Sequence, residues 1–181
     1  MNDELESERL LLRPMRAEDV PQIAALMADY DIVKNLSTAP YPYTLADAEA
    51  FFARQREAKA DGEKHDFAIV EKSGGGLIGK IGMCAKEGVF EIGYWIGKPY
   101  WGRGFATEAA RRVLAFGFGE LKFERIVAGW FEDNPASGHV LDKLGFTATE
   151  TVGRDCLARG HTVRCNMMAL TREAFAERRV S

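Results

Sequence analysis

Seven residues in this sequence have the spacing of an anion site: Trp101, Gly102, Arg103, Gly104, Phe105, Ala106 and Thr107, between a strand-like run and a helix-like one. Glycines at 102 and 104 remove Cβ atoms where backbone must come close to something. From Ala106 onward, apolar Ala109, Ala110, Val113 and Leu114 alternate with polar Glu108, Arg111 and Arg112 at helical spacing, and Glu108 is placed to pair with Arg112. The first turn of such a helix carries backbone N–H groups without intrahelical partners and the positive end of the helix dipole. A phosphate could therefore sit there, with Arg103 adding a cation and Thr107 a hydroxyl. A plain tight connection between strand and helix fits the same residues, and the heptapeptide alone leaves both readings open. A dinucleotide fingerprint fits worse, because its third glycine falls on Thr107 and "GKPYW" separates strand from turn. A P-loop fits worse still, since no Gly-Lys-Ser/Thr follows.

A second stretch, "DNPAS" at 133–137, reads first as a helix start. Asn134 suits the N-cap, Pro135 the first helical position, and Gly145 the end of the helix. Metal chemistry is not expected. Neither His65, at a strand start, nor His161, in a hairpin turn, has a partner at ligand spacing, and His139 reads as a solvated helix residue. Cys84, Cys156 and Cys165 form no C-x-x-C pair and read as thiols in a reducing compartment.

A net charge of −3 argues against a domain built to hold nucleic-acid backbone. No apolar run approaches the roughly 20 residues of a membrane span. The acidic opening "MNDELESERLLLRP" lacks a basic-then-apolar signal pattern, so the expected compartment is the cytosol.

Around these stretches, hydrophobic period and turn residues predict the elements that must position them. "ERLLLRP" (8–14) opens as a strand. Asp19 is placed to cap a helix carrying Val20, Ile23, Ala24, Leu26 and Met27. Residues 30–43 read as an irregular connection, and Thr44 with Asp47 as a capping box opening a helix to about Lys59. Strands follow at 65–71, 76–84 and 90–97, then the helix at 106–118, a strand at 125–131, a helix at 135–144 and a hairpin around 158–161. Helices flanking a run of hairpins predict an α/β (α+β) fold, a mixed, mostly antiparallel central sheet within one domain spanning residues 1–181. The C-terminal "REAFAERRVS" reads as a short helix on a partner or as a loose end.

Taken in order, "EIGYWIGKPYWGRGFATEAARRVLAFGF", "VAGWFEDNPAS" and "GHVLDKLGF" resemble the GNAT superfamily of acyl-CoA-dependent N-acyltransferases, and most of all its ribosomal-protein N-terminal acetyltransferase (Rim-type) branch. The opening "ERLLLRPMRAEDV" and "YPYTLADAEAFF" resemble that branch too. The resemblance implies a GNAT-like fold and acetyl-CoA as co-substrate. It implies that Gly102, Arg103, Gly104, Phe105, Ala106 and Thr107 wrap the pyrophosphate of coenzyme A, and that Trp95, Ile96 and Gly97 hydrogen-bond the pantetheine arm. Asn134 would contact that arm, and Ser137 would lie near the thioester sulfur and hydrogen-bond or protonate the leaving thiolate. Many superfamily members carry a tyrosine acid on this helix; the matching position here is Leu141. Trp101 departs from the Arg or Gln usual in the broad superfamily but matches the branch.

The resemblance puts Glu91 beside the thioester, where it is expected to take the amine proton through a water; an edge glutamate facing solvent is the other reading. The implied reaction is direct acetyl transfer to a primary amine in a ternary complex. The first expected acceptor is a protein N-terminus of the ribosomal-protein-alanine type. A small-molecule amine is the alternative, and a non-catalytic acyl-CoA-binding module a third. A homodimer is a possible assembly; no nucleic-acid or membrane partner is expected.

Overall fold

The computed structural model describes residues 4–58, 64–86 and 88–178. One eight-stranded sheet runs through them in the order β1-β2-β3-β4-β5-β6-β8-β7. Its strands are β1 (Leu5–Glu6), β2 (Leu10–Arg13), β3 (Lys64–Glu71), β4 (Leu77–Lys86), β5 (Val89–Ile96), β6 (Arg125–Phe131), β7 (Thr147–Cys156) and β8 (His161–Thr171). All neighbours are antiparallel except β5 and β6. The mixed, mostly antiparallel sheet is the fold class expected from the pattern.

Among the described residues, six α-helices cover the sheet: α1 (Val20–Met27), α2 (Tyr30–Val33), α3 (Leu45–Ala58), α4 (Phe105–Gly119), α5 (Pro135–Leu144) and α6 (Arg172–Glu177). Period-two alternation sorts β5 between the two layers. Ile92 and Ile96 point into the main core with Ala109, Val113 and Leu114 of α4 and Leu141 of α5. Trp95 points the other way, into a second core with Val20 and Ile23 of α1 and Ala48 of α3. Helices α4 and α5 therefore lie on one face, and α1 and α3 on the opposite one. Among the described residues no helix is long and apolar enough to cross a membrane.

Local expectations meet three corrections. Asp19 makes no capping hydrogen bond to α1. Its carboxylate is taken by Arg13 through two contacts of 2.7 Å, both side chains being buried, because a buried guanidinium needs a bidentate partner more than a helix start needs a cap. Residues 30–43 are not wholly irregular: Asp29 accepts from the Asp31 amide at 2.9 Å and starts α2. Glu108 turns away from Arg112 toward Ser7 and Arg9, as described below. Thr44 and Asp47 do form the expected box, the Thr44 amide donating to Asp47 at 2.8 Å and the Asp47 amide to Thr44 Oγ1 at 3.3 Å. Lys59, the expected last residue of that helix, lies outside the described residues. Of the C-terminal stretch, Arg172–Glu177 forms α6 on this chain's own core, with Thr171 Oγ1 accepting from the Ala174 amide and Phe175 buried against Phe118; residues 179–181 lie outside the described residues.

Candidate active site

Strands β5 and β6 pair at two positions, Phe90 with Ile126 and Glu91 with Val127. Beyond them β5 stays on β4 as far as Ile96, and β6 stays on β8 as far as Phe131. The two strands thus part at Ile92 and Ala128, and the sheet opens into a wedge at their C-terminal ends. Backbone N–H and C=O groups along a parted edge need partners, and an extended ligand with amides of its own can supply them.

The mouth of the wedge carries the glycine turn. Gly102 (φ 73°) and Gly104 (φ 79°) both adopt left-handed backbone, which strains residues with a Cβ. Gly104 is the N-cap of α4 and supplies no side-chain cap, so the first-turn amides of Phe105, Ala106 and Thr107 are left for a ligand. A latch from the β1–β2 connection fixes the turn. Glu108 accepts from the Arg9 amide at 2.8 Å, Arg9 Nε at 2.7 Å and Ser7 Oγ at 2.7 Å, and Arg9 Nη1 donates to the Arg103 carbonyl at 3.0 Å. Burial pushes the Glu108 carboxyl up, but these donors outweigh it and hold it below the usual range. The guanidiniums of Arg9 and Arg103 each lie 4.6 Å from the centre of the buried Phe105 ring. Arg103 also reaches Glu71 at 2.6 Å, so its charge is already shared.

Residues implied for the pantetheine arm differ in what they can offer. The Ile96 carbonyl accepts from the Trp101 indole N–H at 2.7 Å, leaving its second lone pair, and the Gly97 amide donates to Ile78 at 2.8 Å. Trp95 has its side chain in the second core, and its carbonyl oxygen lies against Gly79 of β4. Asn134 occupies the N-cap position of α5 without a capping hydrogen bond, and its half-buried amide is not spent on the helix. The helix start is held instead by Asp133, which pairs with Arg159 of the β7–β8 turn at 2.6 and 3.1 Å; that partner first of all holds the Asp133 carboxyl below its usual range.

On the α5 face of the wedge, Ser137 Oγ lies 3.0 Å from the Tyr94 hydroxyl. On the opposite face, Glu91 is paired with Arg154, which reaches it from β7 with Nη1 in contact and Nη2 at 3.3 Å. Burial pulls Arg154 down, but its hydrogen bond and charge interaction with Glu91 prevail and raise it. Arg154 crosses over Gly129 of β6, where an added Cβ would come within 3.4 Å of the guanidinium and 2.8 Å of Cys165 Sγ. Between the two clasps lies Gly93, exposed, with nothing within 4 Å of where a Cβ would stand. Tyr94 and Arg154 escaped the sequence reading. Period two places Tyr94 on the α5 side, but its partner depends on how α5 returns to the sheet. Nothing near Arg154 in "VGRDC" marks it.

The acetyltransferase (GNAT) domain family matches residues 9–147. The chain belongs to the GNAT acetyltransferases. It is similar to the uncharacterized N-acetyltransferase p20 of Bacillus licheniformis, at 28% identity over 175 residues that cover 95% of this chain and 98% of that protein. Two solved structures share the fold. A ribosomal-protein-S5-alanine acetyltransferase from Vibrio fischeri superposes with a TM-score of 0.79 at 18% identity, over 94% of this chain and 97% of its own. A spermidine N-acetyltransferase from Vibrio cholerae, in complex with CoA and spermine, does so with a TM-score of 0.78 at 19% identity, over 94% and 99%. The acetyltransferase takes acetyl-CoA as its acyl donor. Its wedge and uncapped glycine turn suit that molecule: an amide-bearing arm fits the parted strand edges and a pyrophosphate the α4 amides. Among the described residues no cluster of three or more His, Cys, Asp or Glu could hold a metal.

Proposed function

We propose that this N-acetyltransferase acetylates the α-amine of a protein N-terminus, which approaches the wedge over Gly93. The observation that carries this reading is the Glu91–Arg154 pair. With both oxygens facing a guanidinium, Glu91 can order a water and pass on a proton but has few lone pairs left for a strongly basic amine. An α-amine, with an unperturbed pKa of roughly 7.7–8.0, is already partly neutral; a lysine amine near roughly 10.4 is not.

Charge around the open face agrees. Asp66 is held by Lys80 at 2.5 Å and Lys64 at 3.2 Å, and Asp31 by Lys34 and Lys98, both at 2.6 Å. Carboxylates engaged in this way offer little to a polycation. The spermidine enzyme with the same fold marks the competing acceptor class.

In this reading the neutral amine attacks the thioester carbonyl carbon directly. A C–N bond forms, the C–S bond breaks with its electron pair going to sulfur, and the amine's surplus proton leaves through a water to Glu91. Ser137 donates a hydrogen bond to the departing thiolate. The amides of Phe105, Ala106 and Thr107 hold the pyrophosphate with Gly102, Arg103 and Gly104, while the Ile96 backbone, flanked by Trp95 and Gly97, holds the arm with Asn134. The test is an acceptor screen read by release of CoA thiol. Peptides with a free N-terminal alanine or serine are expected to turn over and their N-blocked forms not to. Turnover of spermidine or aminoglycosides with none of the peptides would replace the protein acceptor with a small-molecule one.

A further inference from the structure

Ser137 and Glu91 carry the proposed proton and leaving-group chemistry. Tyr94 has no part in it so far, yet it joins β5 to α5 across the wedge. It stands on β5, three residues past the last β5–β6 pair, and its ring packs against the main core beneath α4 and α5. Its hydroxyl reaches the first turn of α5 and finds Ser137 twice, at Oγ (3.0 Å) and at the carbonyl oxygen (3.5 Å). Ser137 is half-buried, and its amide donates to Asn134 at 3.1 Å, so its hydroxyl proton is what remains to be directed.

A hydroxyl pair has two polarities. A phenol is the more acidic group, so it is the better donor and the poorer acceptor of the two. We propose that Tyr94 is a positioning residue for acetyl transfer: its hydroxyl donates to Ser137 Oγ and thereby turns the Ser137 proton toward the leaving sulfur. This rests on the reading of Ser137 as donor to the thiolate. The position where many relatives are expected to carry a tyrosine acid is Leu141, which is buried in the core here. The phenol arrives instead from a strand and acts through the serine.

The chemistry balances without Tyr94 losing its proton. As the C–S bond breaks, sulfur becomes a thiolate and accepts a hydrogen bond from Ser137 Oγ–H, while Tyr94 O–H bonds to the same Oγ. Burial pushes the Tyr94 hydroxyl up to about 12, and a thiol titrates near ~8.5. The phenol therefore polarises the serine and keeps its proton. The proton that completes CoA–SH comes from solvent, replacing the amine proton taken up on the Glu91 side.

The experiment is a double-mutant cycle in single-turnover acetyl transfer, with acetyl-CoA and whichever amine the acceptor screen identifies. Tyr94→Phe keeps the ring and its packing. It is expected to slow transfer about tenfold while changing the KM for acetyl-CoA less than about twofold. Ser137→Ala is expected to slow transfer at least as much, and adding Tyr94→Phe to it to produce no further loss. A full second loss on the Ser137→Ala background would show that Tyr94 acts otherwise and overturn the proposal. An unchanged rate for Tyr94→Phe beside a slow Ser137→Ala would overturn it while leaving Ser137 in its role. A Ser137→Ala enzyme as fast as wild type would remove both. Thermal melts of each variant separate a packing effect from a kinetic one.

Discussion

Gly104 gives the sharpest test of the turn, because strain and contact separate there. A Cβ at this position would meet Arg9 Nη2 at an ordinary 3.6 Å, so Gly104→Ala introduces no clash; what it meets is the φ of 79°. Left-handed backbone costs a residue with a Cβ roughly 1–2 kcal/mol. The turn then relaxes in the free enzyme and must be rebuilt around the pyrophosphate. The KM for acetyl-CoA is expected to rise about tenfold, with the single-turnover rate at saturation largely kept. Steady-state kinetics varying acetyl-CoA checks this. Glu91→Gln should do the opposite, lowering the rate at saturating acetyl-CoA and flattening its dependence on pH. An unchanged pH profile would remove Glu91 from proton transfer. At this scale the sequence was informative about the glycines and the Thr44–Asp47 box, which announce themselves locally, but Asp19 and Asn134 make no capping bond because tertiary partners decide such side chains. It was silent on Arg154 and Tyr94, whose partners sit on other strands and helices.

The wedge belongs to the scale of elements, and so does access to it. Glycine in the middle of a strand weakens it and often marks a close approach by something else. At Gly93 there is open space, and nothing in the backbone forbids a β-branched residue, which strands favour. Gly93→Val is therefore expected to fold with an unchanged melting temperature, bind acetyl-CoA within about twofold of wild type, and lose acceptor turnover by about tenfold or more. Isothermal titration with acetyl-CoA beside an acceptor assay makes the comparison. Undiminished acceptor turnover would show that the amine enters elsewhere. Most elements were legible to within a residue or two: β6 and α5 match their predicted limits, and α4 begins one residue earlier than expected. The short α2 was hidden because its four residues are too few to show a helical period. Its start depends on a local bond from Asp29 in a stretch crowded with proline and aromatics.

For the whole molecule, the buried Arg13–Asp19 pair ties β2 to the entry of α1. Burial pushes the Asp19 carboxyl up, but the Arg13 hydrogen bonds, the Arg16 amide and their charges outweigh it and leave it below its usual value. A carboxyl depressed on folding stabilises the native state above its unfolded pKa and loses that contribution as pH falls through the lower, folded one. Asp19→Asn leaves Arg13 buried without its counter-charge and is expected to cost about 3–5 kcal/mol near neutral pH. The gap in melting temperature between wild type and variant should narrow below about pH 4. The overall sheet was foreseeable from its run of hairpins. A mixed sheet was expected, but that its parallel seam joins β5 to β6 over two residues was not, because strand order across a helical crossover leaves no local mark.

That seam has a consequence for how the chain assembles. Strands β1 to β5 lie side by side in chain order, and β6, β8 and β7 form a second antiparallel set; two residue pairs join them. Pairing of near neighbours closes small loops and is fast, whereas the seam must wait for closure across α4. Native-state hydrogen exchange is expected to show the two sets opening as separate cooperative units. The amides of β3 and β4 would then stay protected under conditions where those of β8 and β7 already exchange. The line along which the sheet parts would thus also be the line along which the protein unfolds.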